Sequence, residues 1–185
     1  MVGADPKAEY AALVREAVTG DRAAMERLLI RAQEVAYRFS LLVCGHPEDA
    51  EDVMQEALLK TYEHVRRIDD PEAFRTWLYA TVRHACLMKR RRRVGEPAVF
   101  DPVEPVRVAD PAPGADQRLI DRSMDGRLRR ALNRLPAAQR MVVVMREMEG
   151  LSTKEVAAVT GLSEANVKQR LHRARLALRR ELEGS

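Results

Sequence analysis

Between Gly95 and Gly114 the helical patterning of this chain stops. Five of its nine prolines fall there, at Pro97, Pro102, Pro105, Pro111 and Pro113, interleaved with Asp and Glu. Proline removes backbone donors and blocks helix, so a stretch this dense in it cannot form a packed element and reads as an extended connector. That constrains the 185-residue chain to two separate units, expected at 8–93 and 118–183 and joined by an acidic, Pro-rich linker at 94–117. Charge divides at the same places. Residues 1–93 are nearly balanced, with 16 basic and 15 acidic side chains, whereas the linker has one basic and five acidic. Residues 118–185 have 15 basic and eight acidic, which points to a polyanionic partner for that part.

Both units read as helical. In the first, Tyr10, Leu13, Val14, Ala17 and Val18 keep helical spacing up to Gly20, and Asp21 is placed to cap a second helix with Met25, Leu28, Leu29, Ala32, Val35, Ala36 and Phe39 on one face. Gly45-His46-Pro47 breaks the pattern. A third helix then buries Ala50, Val53, Ala57, Leu58, Thr61 and Val65. Asp70-Pro71 is a cap and first-turn proline for a fourth, with Phe74, Trp77, Leu78, Val82 and Ala85 inward. In the second unit Leu128, Ala131, Leu132 and Leu135 form a stripe. Pro136 opens a helix through Met141–Met145 that closes at Gly150, and Ser152-Thr153-Lys154-Glu155 has the form of a capping box. Thr160-Gly161-Leu162 is a tight turn, and Ser163 caps a last helix that buries Val167, Leu171, Ala174 and Leu178. No stretch alternates as a strand would, so the fold class is all-α with two small helical domains.

Three constellations carry chemistry. Two helices joined by a short glycine turn make a helix-turn-helix. Its second helix turns Lys168, Gln169, His172 and Arg173 away from the apolar stripe, where they can read base edges in a major groove, and Arg170, Arg175 and Arg179 suit phosphates. Lys89-Arg90-Arg91-Arg92-Arg93, preceded by Arg83, extends a helix that carries Trp77 and Tyr79. Read alone, this run fits either a solvated helix end or a surface for exposed bases, and Trp77 fits either a core position or a stacking platform. Residues 48–56 hold five acids and no base. The helix dipole accounts for Glu48 and Asp49, whereas Gln55 and Glu56 lie beyond the first turn and suggest a protein docking face.

Asp49-Ala50-Glu51-Asp52-Val53-Met54-Gln55-Glu56-Ala57, Phe74-Arg75-Thr76-Trp77-Leu78-Tyr79 and Leu135-Pro136 through Arg175 together resemble bacterial RNA polymerase sigma factors of the extracytoplasmic-function (ECF) class. The resemblance covers both units in order. It implies a sigma-2-like four-helix domain, a sigma-4-like helix-turn-helix domain and nothing beyond them, so that the chain ending at Ser185 is expected to lack a C-terminal extension. Asp49, Asp52, Gln55 and Glu56 resemble the surface that docks on core RNA polymerase. The region from Val65 into the fourth helix, with Arg66, Arg67, Arg75, Trp77, Arg83, His84, Lys89, Arg90 and Arg91, resembles the part that opens the −10 element and holds its non-template strand. Leu128–Met148 resembles the face for the polymerase flap tip, and Lys168, Gln169, Arg170, His172 and Arg173 resemble the −35 contacts. The linker resembles the segment that occupies the RNA channel, where acidic charge suits a basic wall. The resemblance further implies an anti-sigma partner. The chain departs from the family pattern at Arg83-His84 and Met88, where an Arg-Asn pair and an aspartate are common, so the −10 preference does not carry over.

Other chemistry has less support. No nucleotide loop, nucleophile elbow or protease metal motif occurs, and no base or pocket pairs with the acids at 48–56, so no catalytic, metal or cofactor role is expected. Cys44, His46, His84 and Cys86 are conceivable zinc ligands, but their one-residue spacing within each pair is tight for a metal site, and two reduced cysteines, with Cys86 near an apolar stripe, are the simpler reading. Without an apolar leader or a long apolar run, the expected setting is the cytoplasm, on the nucleoid when bound to polymerase. The competing function is a free-standing helix-turn-helix regulator that binds operator DNA without polymerase.

Overall fold

In the helix-turn-helix of the second unit the helix starts and stops have local chemical causes. Glu155 accepts from the Ser152 amide at 2.7 Å while Ser152 Oγ accepts from the Glu155 amide, which completes the capping box at the start of a helix. That helix ends where Gly161 takes a φ of +74°, a left-handed conformation open to glycine. Ser163 Oγ then accepts from the Asn166 amide and starts the last helix.

The computed structural model describes residues 6–44, 47–94 and 126–183, with side chains apart from those of residue 6 and residues 90–94. Among them every regular element is helical. The first domain comprises α1 (Pro6–Val18), α2 (Arg22–Cys44), α3 (Pro47–His64) and α4 (Phe74–Val94), with short 3-10 turns at Val65–Arg67 and Pro71–Ala73 between α3 and α4. The second comprises α5 (Gly126–Arg134), α6 (Ala137–Val143) running into a π turn at Val144–Met148, α7 (Thr153–Thr160) and α8 (Glu164–Glu183). The linker expected at 94–117, beyond Val94, and the periodicity expected from Arg118 to Asp125 lie outside the described residues.

Asp21 caps α2 through its carboxylate, which accepts from the Ala23 and Ala24 amides at 2.8 and 3.1 Å. Asp70 caps the 3-10 turn rather than α4 itself, which begins three residues later than the proline suggested. Helix α2 is the centre of the first domain, packed on α1, α3 and α4. Val14, Leu28, Ala36, Phe39, Val53, Phe74 and Leu78 are wholly buried there. Trp77, Leu58 and Leu178, expected inward, are half-buried at the edges. In the second domain α8 packs on α5, α6 and α7 around Leu132, Met145, Leu151, Val156 and Val167. Arg140 is also buried there at 1% exposure, donating to Asn133 Oδ1 at 3.1 Å. The two domains touch: α7 lies against α4 and α6 against α2, so one apolar cluster runs through both. Among the described residues no helix is long and apolar enough to cross a membrane.

One expectation is overturned. Cys44 and Cys86 are joined in a disulfide, with Cα atoms 5.5 Å apart, instead of standing as two free thiols. The packing of α2 on α4 brings the last residue of one beside the middle of the other, a proximity that the sequence spacing does not reveal. Both sulfurs are thereby withdrawn from the conceivable zinc set. His84 is exposed on α4, and His46 lies outside the described residues.

Candidate nucleic-acid and polymerase interfaces

On α8 the buried stripe of Val167, Leu171 and Ala174 fixes the helix against its domain. Lys168, Gln169, His172 and Arg173 stand exposed on the opposite side, without a hydrogen bond or ion pair among the described residues. Arg170 is half-buried beside them. Arg175 and Arg179 are exposed but engaged, the first with Glu147 at 2.6 Å and the second with Glu183 at 2.8 Å. Exposed pairs of this kind are worth little and exchange readily for another anion such as a phosphate. Among the described residues the face therefore has a centre of unengaged donors with loosely paired arginines farther along the helix.

Helix α3 separates the four residues expected to act together. Gln55 and Glu56 are exposed, with Glu56 paired to Lys60 one turn on at 2.6 Å. Asp52 is exposed but holds Lys89 of α4. Asp49 is only 9% exposed, unlike the other three. It sits on the same side as Ala50 and Val53, turned to the bundle because the helix begins at Pro47, two residues earlier. Sequence reading missed two apolar members of the outward face, Leu59 and Tyr62, which are 58% and 62% exposed. The signal was present: they follow Asp52 and Gln55 at helical spacing, opposite Val53, Ala57 and Thr61.

The basic residues expected to open DNA are scattered in environment. Arg66 and Arg67 are exposed on the 3-10 turn after α3, and His84 is exposed on α4. Arg83 is half-buried, and burial lowers its pKa. Lys89 faces Asp52, and the side chains of Arg90 and Arg91 lie outside the described residues. Trp77 is half-buried with its ring 5.7 Å from that of Phe74. Arg75 departs most from expectation. It is 6% exposed and lies 5.8 Å from the ring centre of Tyr79, with Glu155 of the second domain in its field.

The contact between the domains centres on Glu149, which the sequence did not single out. Its carboxylate, 3% exposed, accepts from Arg38 Nε and Nη2 of α2, each at 2.8 Å, and from the Tyr79 hydroxyl of α4 at 2.5 Å. Burial, together with the facing Glu149 carboxylate, pushes the Tyr79 phenol far above its usual range, so it stays a donor. The hydrogen bond to Glu149 likewise raises Arg38.

Comparison with known proteins places this arrangement. Residues 24–95 match the family model Sigma-70 region 2, and residues 125–178 match Sigma-70, region 4. The ECF RNA polymerase sigma factor SigM of Mycobacterium tuberculosis is 34% identical over 173 residues, 93% of this chain and 84% of that protein. The chain belongs to the ECF sigma factors. ECF sigma factor SigE of Mycolicibacterium smegmatis is 32% identical over 166 residues, and the match spans 63% of its length. Among solved structures, CnrH in complex with the cytosolic domain of CnrY superposes with a TM-score of 0.63 at 26% identity, covering 96% of this chain and 99% of that one. RpoE in complex with the anti-sigma factor NepR from Bartonella quintana shares the fold at a TM-score of 0.63 and 22% identity, over 85% of this chain and 96% of that one. As an ECF sigma factor the chain has its two readers in the order expected of the family, with α3 and α4 in the region 2 match and the helix-turn-helix of α7 and α8 in the region 4 match.

Proposed function

We propose that this sigma factor binds core RNA polymerase and directs promoter-specific initiation through two readers on one chain, with a polymerase-docking unit at 8–93, a connector at 94–117 and a −35 unit at 118–183. The observation that carries the reading is the row of donors on α8 that are exposed and unengaged among the described residues. Lys168, Gln169, His172 and Arg173 are held out by a buried stripe on a helix whose predecessor is fixed by a capping box and a glycine turn. Lysine and arginine pair with guanine edges and glutamine with adenine, and half-buried Arg170 with the paired Arg175 and Arg179 serves the phosphates. The outward face of α3, with Gln55, Glu56, Leu59 and Tyr62, docks on polymerase. Arg66, Arg67 and the exposed side of α4 meet the opened −10 strand, where unpaired bases stack on aromatics and cations follow the backbone.

The chain acts as a binding subunit, in the cytoplasm and on the nucleoid once polymerase holds it. An anti-sigma protein is its regulator; support comes from the family and from the similarly folded RpoE, whose structure contains the anti-sigma factor NepR. Reconstituted transcription tests the function. Core polymerase with this chain should start at one defined site on a cognate promoter, while the chain alone binds that DNA weakly. Tight operator binding without polymerase, and no initiation with it, would establish the free-standing regulator instead.

A further inference from the structure

The Cys44–Cys86 disulfide is out of place in a subunit that works on polymerase. A cytosol keeps thiols reduced through glutathione and protein dithiols, and the disulfides that do form there are mostly transient or redox-sensing. Nor does the first domain need a staple. Folds that depend on disulfides are those too short to bury a sufficient core, whereas α1–α4 wholly bury Val14, Leu28, Phe39, Val53 and Phe74.

The bond is open to exchange from one side. Cys86 is 3% exposed, within the apolar core, whereas Cys44 is the last residue of α2 and only half-buried. An entering thiolate therefore reaches Cys44 and displaces Cys86. The position of the bond gives that exchange a consequence. Leu78, Tyr79, Val82 and Ala85 anchor α4 in the core, and Cys86 is the last buried residue of the helix whose side chain is described. Beyond it come half-buried Leu87, Met88 and Lys89, and then the arginines of the basic run. Lys89 is tied to α3 by its ion pair with Asp52, a surface contact of the kind worth little. The disulfide thus fastens the end of α2, three residues before α3 starts at Pro47, to α4 just short of its basic end. It fixes where that basic end stands relative to the docking helix.

We propose that Cys44–Cys86 is a thiol–disulfide switch in the −10-reading domain: oxidised, it holds the basic end of α4 ready for the opened strand, and reduced, it frees that end and initiation falls. It rests on the two-reader function above. In reduction, one thiolate of a dithiol attacks Cys44 Sγ. The S–S bond breaks, and Cys86 leaves with the electron pair and takes up a proton. The second thiol of the dithiol then closes on the mixed disulfide and releases Cys44 as a thiol, so the dithiol has given two electrons and two protons and ends as a disulfide. Oxidation is the reverse, with a low-molecular-weight disulfide such as oxidised glutathione taking the two electrons and leaving as two thiols. The reduced domain keeps its core but must order the end of α4 each time a strand is captured, a cost that the bond removes in advance.

The test equilibrates the full chain in buffers of graded reduced-to-oxidised glutathione ratio and traps free thiols with a mass-shifting maleimide. Amide exchange and, with core polymerase, initiation are followed alongside. The bond should open and close reversibly across the series. Reduction should speed exchange in residues 87–94 and leave α1 unchanged, and initiation should fall about fivefold as the ordering cost returns. Cys44→Ala should initiate at the level of reduced wild type and ignore the buffer, which separates the switch from any redox effect on polymerase. Should that variant fail to melt cooperatively, reduced wild type with both thiols alkylated takes its place. A bond that excess dithiol cannot open in the folded chain, a bond that never forms in oxidised glutathione, or equal initiation by both forms overturns the switch. Thiol trapping and amide exchange need no polymerase, so a chain that switches by both yet initiates in neither form would condemn the sigma function instead.

Discussion

Arg75 on α4 and Arg173 on α8 are both arginines on helices proposed to meet DNA, yet their surroundings are opposite. Arg75 is 6% exposed, over the Tyr79 ring, whereas Arg173 is exposed and unengaged among the described residues. The contrast extends to the domains that carry them. The first is tied by a disulfide and buries one arginine of the face proposed to meet the −10 strand. The second is organised by caps and a glycine turn, and it presents its reading face outright. Composition treats the two arginines alike. Packing leaves one exposed and buries the other.

The largest effect that would sharpen this comparison is expected from Cys44→Ser. The Cys44–Cys86 bridge spans 42 residues of sequence, so its loss should cost the first domain on the order of 4 kcal/mol through unfolded-state entropy. Denaturant melts should show the loss in the α1–α4 transition and spare the helix-turn-helix. Equal loss in both would mean that the domains unfold as one unit and the contrast is false. Next in size is Arg173→Ala. If it reads a base, promoter selection should fall by about 1–3 kcal/mol at one −35 base pair, as measured with a panel of −35 variants, whereas a uniform loss across the panel would make it a phosphate contact.

Gln55→Ala should weaken polymerase binding several-fold without shifting the melt, since its side chain is exposed, and Tyr62→Ala should do more because it removes apolar contact area. Binding titrations against core polymerase check both, and wild-type affinity in Tyr62→Ala would remove α3's outward face from the docking surface. The smallest effect concerns the cap of α7. Ser152→Ala should cost about 1 kcal/mol. Burial would raise the Glu155 carboxyl, but hydrogen bonds from Ser152 and the nearby Lys7 and Arg75 outweigh it and hold the pKa below the usual range. A depressed carboxylate pKa stabilises the fold above the unfolded value and loses that contribution as pH falls through the folded one. The helix-turn-helix should therefore weaken on acidification, and Glu155→Gln should flatten that part of the pH–stability curve.

Much of the fold was legible because its signals are local. Asp21, Pro47, Ser152, Gly161 and Ser163 act on backbone groups within four residues, so helix starts and stops follow from nearest neighbours. The reading face of α8 was legible for the same reason, since helical periodicity alone turns Lys168, Gln169, His172 and Arg173 away from Val167 and Leu171. Leu59 and Tyr62 were legible in principle but were passed over, because the acids beside them dominated the reading of α3. The resemblance grouped Asp49 with the docking residues, whereas its helical phase beside Ala50 and Val53 leaves it 9% exposed, which only the packing shows.

The sequence by itself determined an all-α chain in two parts, the helix-turn-helix and the family. These depend on periodicity, capping and short motifs, all encoded within a few turns of chain. Only the tertiary structure decided that Cys44 meets Cys86, that Arg75 is buried, and that Glu149 sits on Arg38 and Tyr79 at separations of 111 and 70 residues. Such contacts depend on how finished helices pack. A buried carboxylate takes its partners from whatever surface the fold sets opposite it, and nothing in the neighbouring residues of Glu149 names that surface.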